Sequence, residues 1–396
     1  MATRGCRKKT RGMKRSPVSD LSDDLLVEII SRVPYQSTCC CKCVSRRWRD
    51  LLSHPDHHKK LPRSTLAGIL YQTFGGSGRL PPARFCGYRS VSGNFCSSMD
   101  PSLSFLPKRR RVQFYLLDCC NGLLLSRNWD QPYGVKKFDY AVCNPATEKW
   151  VVVPANRWSC EVRITRLGFD PTVSSHFHVF ELASAGANML GQVVWDSPIS
   201  ITVYSKSVFF NRMLHLSSGS CHNSVVAVDV DGTRGFIRVP TPCGSNDLYL
   251  SQGQLCLAHK DASELSVWAL EDYSSENWTL KYKVSHLQLL GLMCSKFPGY
   301  VFPKFREGDY PGLYIPGCTQ PMFPGYYRVI SIHPEHSLIF FVCEKLHKQG
   351  ERSLTKLMSY DMDYRELHFI CELGRGCRTP YLSYVPLFSE SLADGH

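Results

Sequence analysis

Two hydrophobic rhythms divide the chain. Between Asp20 and Leu52 the apolar residues recur at helical spacing: Leu25, Leu26, Ile29, Ile30 and Val33 form one stripe, and Val44, Trp48, Leu51 and Leu52 form a second. Arg46, Arg47 and Arg49 fall on the more polar faces of that second segment. Ser22 ahead of Asp23 and Asp24 offers an N-cap and an acidic first turn, and Pro34 stops the helix. The spacing predicts two or three short helices. Segments so short leave much of their apolar surface uncovered, which implies a partner.

From Leu66 onward the apolar runs shorten, gain Val, Ile, Phe and Tyr, and are broken by Gly, Pro, Asn and Asp. Residues 112–117 and 123–125 read as strands about the turn Cys119-Cys120-Asn121-Gly122, and 140–143 and 150–153 as a hairpin about Asn144-Pro145-Ala146-Thr147. The same reading makes strands of 167–171, 176–180, 208–216, 225–229, 236–239, 253–257, 265–270, 278–280, 290–294, 327–332, 337–342 and 357–361. Gly122, Gly168, Asn211 and Gly253 recur at a little over forty residues, the length of a four-stranded propeller blade. About six or seven blades are expected at that period. The predicted fold class is α+β multidomain: a small N-terminal all-α module, then a large all-β, β-propeller-like domain. Expected segments are a basic arm (1–17), the helical module (18–60), an irregular linker with first strands (61–108) and the β-domain (109–392).

Composition changes this picture little. The 396 residues are 43% hydrophobic and 20% charged, an ordinary globular balance. The formal charge is +13, and Arg4, Arg7, Lys8, Lys9, Arg11, Lys14 and Arg15 concentrate the excess in an arm without acids. That arm has no apolar segment of a signal peptide and reads as an unstructured lead suited to nuclear import. Lys108-Arg109-Arg110-Arg111 is a second basic run. No stretch reaches the roughly eighteen apolar residues of a membrane helix. The 19 cysteines are scattered and odd in number, so reduced thiols are expected rather than a disulfide framework.

Candidate chemistry is sparse. Cys40 and Cys43 followed by His54 and His57 approach a zinc spacing, but the residues between them are already an amphipathic helix and no strand pair precedes them. Small cysteines lying under helices are the preferred reading. Cys119 and Cys120 lack an obvious activating partner, and His176, His178 and His215 lack a further ligand at fixed spacing. No nucleophile elbow, phosphate-cradling loop or dinucleotide fingerprint occurs, so no catalytic residue, cofactor or metal is expected. Trp129, Trp150, Trp158, Trp195, Trp268 and Trp278 are read mostly as blade core, with loop-exposed ones as anchors for a partner.

The succession Leu21, Asp23-Asp24, Leu25, Glu28, Ile29, Arg32-Val33-Pro34, Ser37, Cys43-Val44-Ser45 and Trp48 resembles the F-box, which attaches substrate receptors of cullin-type ubiquitin ligases to a Skp-family adaptor. It departs at Ser22, where proline is usual, and at Thr38, Cys39 and Cys41, where large apolar residues are usual, which implies a weaker adaptor contact. Asn121-Gly122-Leu123-Leu124, Cys143 through Thr147 with Trp150, Leu167 through Pro171, Ala227-Val228-Asp229 with Val239-Pro240, Gly253 through Cys256 with Val267-Trp268, and Tyr381 through Pro386 before Ser389 resemble, in order, the F-box associated domain of plant F-box proteins. The resemblance implies a non-catalytic substrate-recognition subunit of a Skp–cullin–F-box ubiquitin ligase in the nucleus and/or cytoplasm. Leu21, Leu25, Leu26, Ile29, Ile30, Val33, Pro34, Val44, Trp48, Leu51 and Leu52 would bind the adaptor, and through it a cullin, while the β-domain holds a protein substrate. Two other classes are weighed: a nucleic-acid-binding regulator using the basic arm, and a propeller enzyme with a pocket on the blade axis.

Overall fold

The computed structural model describes residues 17–33, 35–57, 60–62, 65–75, 83–91, 99–106, 113–129, 138–156, 159, 162, 164–182, 192–194, 200–202, 206–218, 224–241, 245–261, 263–296, 327–344 and 354–388. Two compact units divide between Ser64 and Thr65.

The first unit contains α1 (Asp23–Ile30), α2 (Tyr35–Cys41) and α3 (Arg46–Ser53). Ser22, in an extended conformation, accepts the Leu25 N–H at 3.4 Å, so the residue that departs from the family pattern acts as the N-cap. Ser45 does the same for α3, accepting the Trp48 N–H at 3.2 Å. Leu26, Val27 and Ile30 of α1 meet Leu51 and Leu52 of α3 and Leu61 in one small core, with Leu21, Val33, Cys41 and Trp48 around its edge. Arg47 donates to Asp23 at 2.7 Å and to the Leu21 carbonyl at 2.6 Å, tying the start of α3 to the start of α1.

The second unit is a β-propeller. Its chain ends meet in one sheet: β1 (Gly68–Gly75) pairs antiparallel with both β2 (Ala83–Ser90) and the last strand of the chain. Four-stranded antiparallel meanders follow in β3 (Gln113–Cys120), β4 (Leu123–Trp129), β5 (Phe138–Asn144) and β6 (Lys149–Pro154). Next come two separate short ladders, β7 (Ile164–Gly168) with β8 (His178–Leu182) and β9 (Gln192–Val194) with β10 (Ser200–Thr202), the second bridged from Ile201 to Ser218. Three further meanders are β11 (Ser207–Phe210), β12 (Met213–Ser217), β13 (Ser224–Asp229) and β14 (Arg234–Arg238); β15 (Ser245–Ser251), β16 (Gln254–Lys260), β17 (Glu264–Asp272) and β18 (Asn277–Ser285); and β19 (Tyr327–Ile332), β20 (Leu338–Glu344), β21 (Leu354–Asp361) and β22 (Glu366–Arg375). Between the last two lies α4 (His286–Lys296), and β23 (Cys377–Tyr384) closes the chain. Among the described residues, five sheets of three or four strands and the β7–β8 ladder therefore surround one axis.

The innermost strands β23, β3, β7, β11, β15 and β19 neighbour one another in that order and return to β23. Apolar clusters fill the spaces between neighbouring sheets: Leu70, Leu116, Leu124 and Tyr384 lie between the first two, and Val267, Val329, Phe341 and Tyr360 between two of the later ones. Strands inside the blades, such as β5, β13 and β16, are buried almost continuously because both faces are covered in this way, whereas the fourth strands β6, β14 and β18 are largely exposed or alternate.

Residues 61–108, expected as an irregular linker with first strands, contain β1 and β2, which pair in the sheet that joins the two ends of the β-unit. Sequence and structure part in two strand assignments. Residues 208–216, expected as one strand, form β11 and β12 about the turn Asn211-Arg212. Residues 290–294, expected as a strand, lie in α4. There Leu289 and Met293, four apart, are buried against the neighbouring sheets while Leu287 is exposed, and Ser285 accepts the Gln288 N–H at 3.2 Å at the helix start. Helical spacing outweighs the strand-like composition of so short a run.

Candidate functional site

Two surfaces carry features that folding alone does not explain. The first is on the helical unit. Leu25 and Ile29, one turn apart on α1, are 54% and 51% exposed, and Val44, just before α3, is 64% exposed. Large apolar side chains left in water beside a complete small core mark a contact surface. The predicted set of adaptor residues divides accordingly. Leu26, Ile30, Leu51 and Leu52, also named as adaptor-binding from the sequence, are buried in the unit's own core. The physical reason is that α1 and α3 cover each other along one face, which splits each stripe in two. Leu21, Val33 and Trp48 are half-buried at the rim, and Pro34 lies outside the described residues. Val18, 41% exposed, adds an apolar position that helical periodicity did not single out.

The second surface is a cavity of about 610 Å³ on the propeller axis, lined by the innermost strands and their neighbours. Asp118 of β3, Arg166 of β7, Lys206 beside β11, Asp247 of β15 and Arg328 of β19 all line it, as does Arg127 of β4, which also donates to the Tyr140 and Thr165 hydroxyls at 3.2 Å. Side-chain bonds stitch these strands together around the cavity. Asp118 accepts the Leu167 N–H at 2.9 Å across from β3 to β7. Lys206 donates to the Ile330 carbonyl on β19, Tyr249 donates to the Val329 carbonyl at 3.0 Å, and Ser383 donates to Ser331 at 2.8 Å. Burial pushes the Asp118 and Asp247 carboxyls upward, against the pull of Arg166 and Lys206 respectively. Burial also brings the Lys206 ammonium down to about 8.

Nothing in the sequence reading marked these charges. A signal existed: each stands on or beside the first strand of its repeat, among apolar residues, as in Ile164-Thr165-Arg166-Leu167 and Tyr327-Arg328-Val329.

Cys40 and Cys43 are exposed on or just after α2, the His54 and His57 rings lie 5.6 Å apart, and no cluster of three or more metal-ligating side chains occurs among the described residues. Cys119 and Cys120 are raised by burial rather than activated. His176 and His178 are exposed, whereas His215 is buried, its Nδ1 at 3.2 Å from the Val208 carbonyl and its Nε2 bonded to the Tyr273 hydroxyl. Trp278 is buried and donates to the Arg238 carbonyl at 3.0 Å; Trp150 is 38% exposed on β6. The side chains of Trp129, Trp158 and Trp195 lie outside the described residues.

Residues 18–60 match the F-box domain, a span that contains α1, α2 and α3. The chain is similar to a putative F-box protein of Arabidopsis thaliana at 25% identity over 65% of this chain and 76% of that one. It is similar to a second Arabidopsis F-box protein at 26% over 73% and 84%, and to a putative F-box/kelch-repeat protein of the same plant at 23% over 74% and 79%. Among solved structures, the β-propeller domain of Nup133 from Vanderwaltozyma polyspora aligns with a TM-score of 0.34 at 10% identity, covering 70% of this chain and 72% of that one. The chain thus carries an F-box domain ahead of a β-propeller and resembles plant F-box proteins over most of its length.

Proposed function

We propose that this protein is a non-catalytic substrate receptor of a Skp–cullin–F-box ubiquitin ligase. The helical unit docks on a Skp-family adaptor, and the propeller holds a protein substrate. The observation that carries the reading is the exposed trio Leu25, Ile29 and Val44 on a unit whose core is complete without them. Covering the exposed half of each leucine or isoleucine contributes about 1 kcal/mol, so these contacts together set a specific but modest affinity. Tethering then raises the effective concentration of substrate lysines near the ubiquitin-charged enzyme, which accelerates transfer with no reacting group on this chain.

Capture of a purified Skp-family adaptor by the full chain tests this. Leu25→Ala combined with Ile29→Ala lowers the affinity about tenfold or more; unchanged capture sinks the adaptor reading. We further propose that the basic residues 1–16 direct nuclear import, and a fluorescent fusion lacking them should then lose nuclear accumulation.

A further inference from the structure

Four cations, Arg127, Arg166, Lys206 and Arg328, line the axial cavity against two carboxylates, Asp118 and Asp247, which leaves two positive charges in excess. Both carboxylates already serve the scaffold. Asp118 accepts the Leu167 and Cys119 N–H groups, each at 2.9 Å, and Asp247 accepts the backbone N–H of Lys206. Lys206 turns toward neutral groups, the Ile330 carbonyl and the Tyr249 ring with its centroid 5.0 Å away. Arg328 stays exposed although its strand neighbours Tyr327 and Val329 are buried, so the cavity is open to solvent beside its guanidinium.

A propeller needs no charge on its axis in order to fold, since apolar side chains fill the spaces between its sheets. Desolvated charges at that place cost stability unless something compensates them. We propose that the axial cavity binds a small organic dianion of the phosphate-monoester class, its anionic group held by Arg328 and Arg166 and its organic part against Leu116, Tyr249 and Ile330. The charge matches, because a phosphate monoester is close to doubly ionised above a pKa of about 6. The donors match, because guanidinium forks bind phosphate oxygens in pairs. The size matches as well: about 610 Å³ falls within the roughly 300–1,000 Å³ of small-molecule pockets. The proposal does not rest on adaptor docking, which the other unit performs.

Calorimetric titration of the full chain at pH 7.5 with phenyl phosphate, with phenol as its uncharged counterpart, and with a phosphotyrosine peptide tests the site. Phenyl phosphate is expected to saturate one site, phenol to show no saturation, and the peptide to bind no more tightly than phenyl phosphate. Arg328→Gln should weaken phenyl phosphate about tenfold or more, and Arg328→Lys, which keeps the charge but not the fork, by less. Thermal unfolding without ligand should be no lower for either variant than for the parent chain. Absence of saturable binding, or equal binding by the Gln variant, overturns the proposal; tighter binding of the peptide overturns the assignment to a small molecule and moves the anion onto a substrate chain. Adaptor capture measured on the same preparation separates a failure here from a failure of the receptor reading.

Discussion

At the scale of single residues, the same kind of side chain does different work one position apart. Leu25 and Leu26 are neighbours on α1, yet the first is half in solvent and the second is 1% exposed. Leu26→Ala or Leu52→Ala should therefore cost about 2–5 kcal/mol of the helical unit's stability, seen by thermal unfolding, whereas Leu25→Ala should leave unfolding unchanged and reduce only adaptor capture. His215 gives a pH-dependent case. Its Nδ1 faces the Val208 carbonyl, which only accepts, so the ring is held with that nitrogen protonated and Nε2 accepting from Tyr273. Desolvation brings its pKa down to about 4. A base depressed in this way contributes stability that is full above its ordinary value near 6.5 and is lost as pH falls toward 4, an effect on the order of 3 kcal/mol at most. His333, also lowered to about 4, acts in the same direction. The unfolding midpoint should drop between pH 7 and 4.5, and His215→Asn should flatten that drop.

At the scale of elements, turns repeat more faithfully than strands. Asn144, Asp272 and Asp361 each accept the N–H two residues on, at 3.0, 3.0 and 2.9 Å, and each is followed four residues later by a left-handed residue, Glu148, Glu276 or Arg365. Each device joins the third strand of a blade to its fourth. The inner turns have their own pattern: Asn121-Gly122, Asn211-Arg212 and Gln252-Gly253 all have positive φ at both positions, as tight hairpins between twisted strands require. Gly122 and Gly253 differ in what surrounds them. A Cβ on Gly122 would stand 2.5 Å from the Cβ of Leu387, while one on Gly253 meets nothing. Gly253→Ala should cost about 1–2 kcal/mol from backbone conformation alone, and Gly122→Ala about 2–5 kcal/mol, readable as the difference between their urea midpoints. Asn121 and Asn144, two of the landmarks that resemble the plant domain, donate to the Phe169 and Leu387 carbonyls at 2.7 and 2.9 Å. Those landmarks are thus explained as pins of the scaffold rather than as contacts for a substrate.

At the scale of the whole β-unit, closure depends on β23, which follows more than 300 residues after β1 in the chain yet pairs with it from Gly68↔Tyr384 to Thr73↔Cys377. Removing residues 377–396 takes away this pairing and exposes the apolar flanks of two neighbouring blades, including Leu70, Tyr71 and Ile330. The truncated chain should lose cooperative unfolding by calorimetry. A chain that still unfolds in one sharp transition would show that the blades hold together without the closing strand.

The helical unit was legible in the sequence because capping and apolar spacing are local: Ser22 and the run from Leu25 to Ile30 act within a turn or two of themselves. The strands and the forty-residue period were legible for the same reason. Which half of each apolar stripe is buried was decided only when α1 met α3, since periodicity gives a stripe its direction but not its neighbour. That β1 pairs with the last strand was out of reach because the two lie at opposite ends of the β-unit, and α4 because a short apolar run fits either period. The charged axis was likewise out of reach. Asp118, Arg166, Lys206, Asp247 and Arg328 are spread over more than 200 residues, and only the ring of inner strands brings them to one cavity.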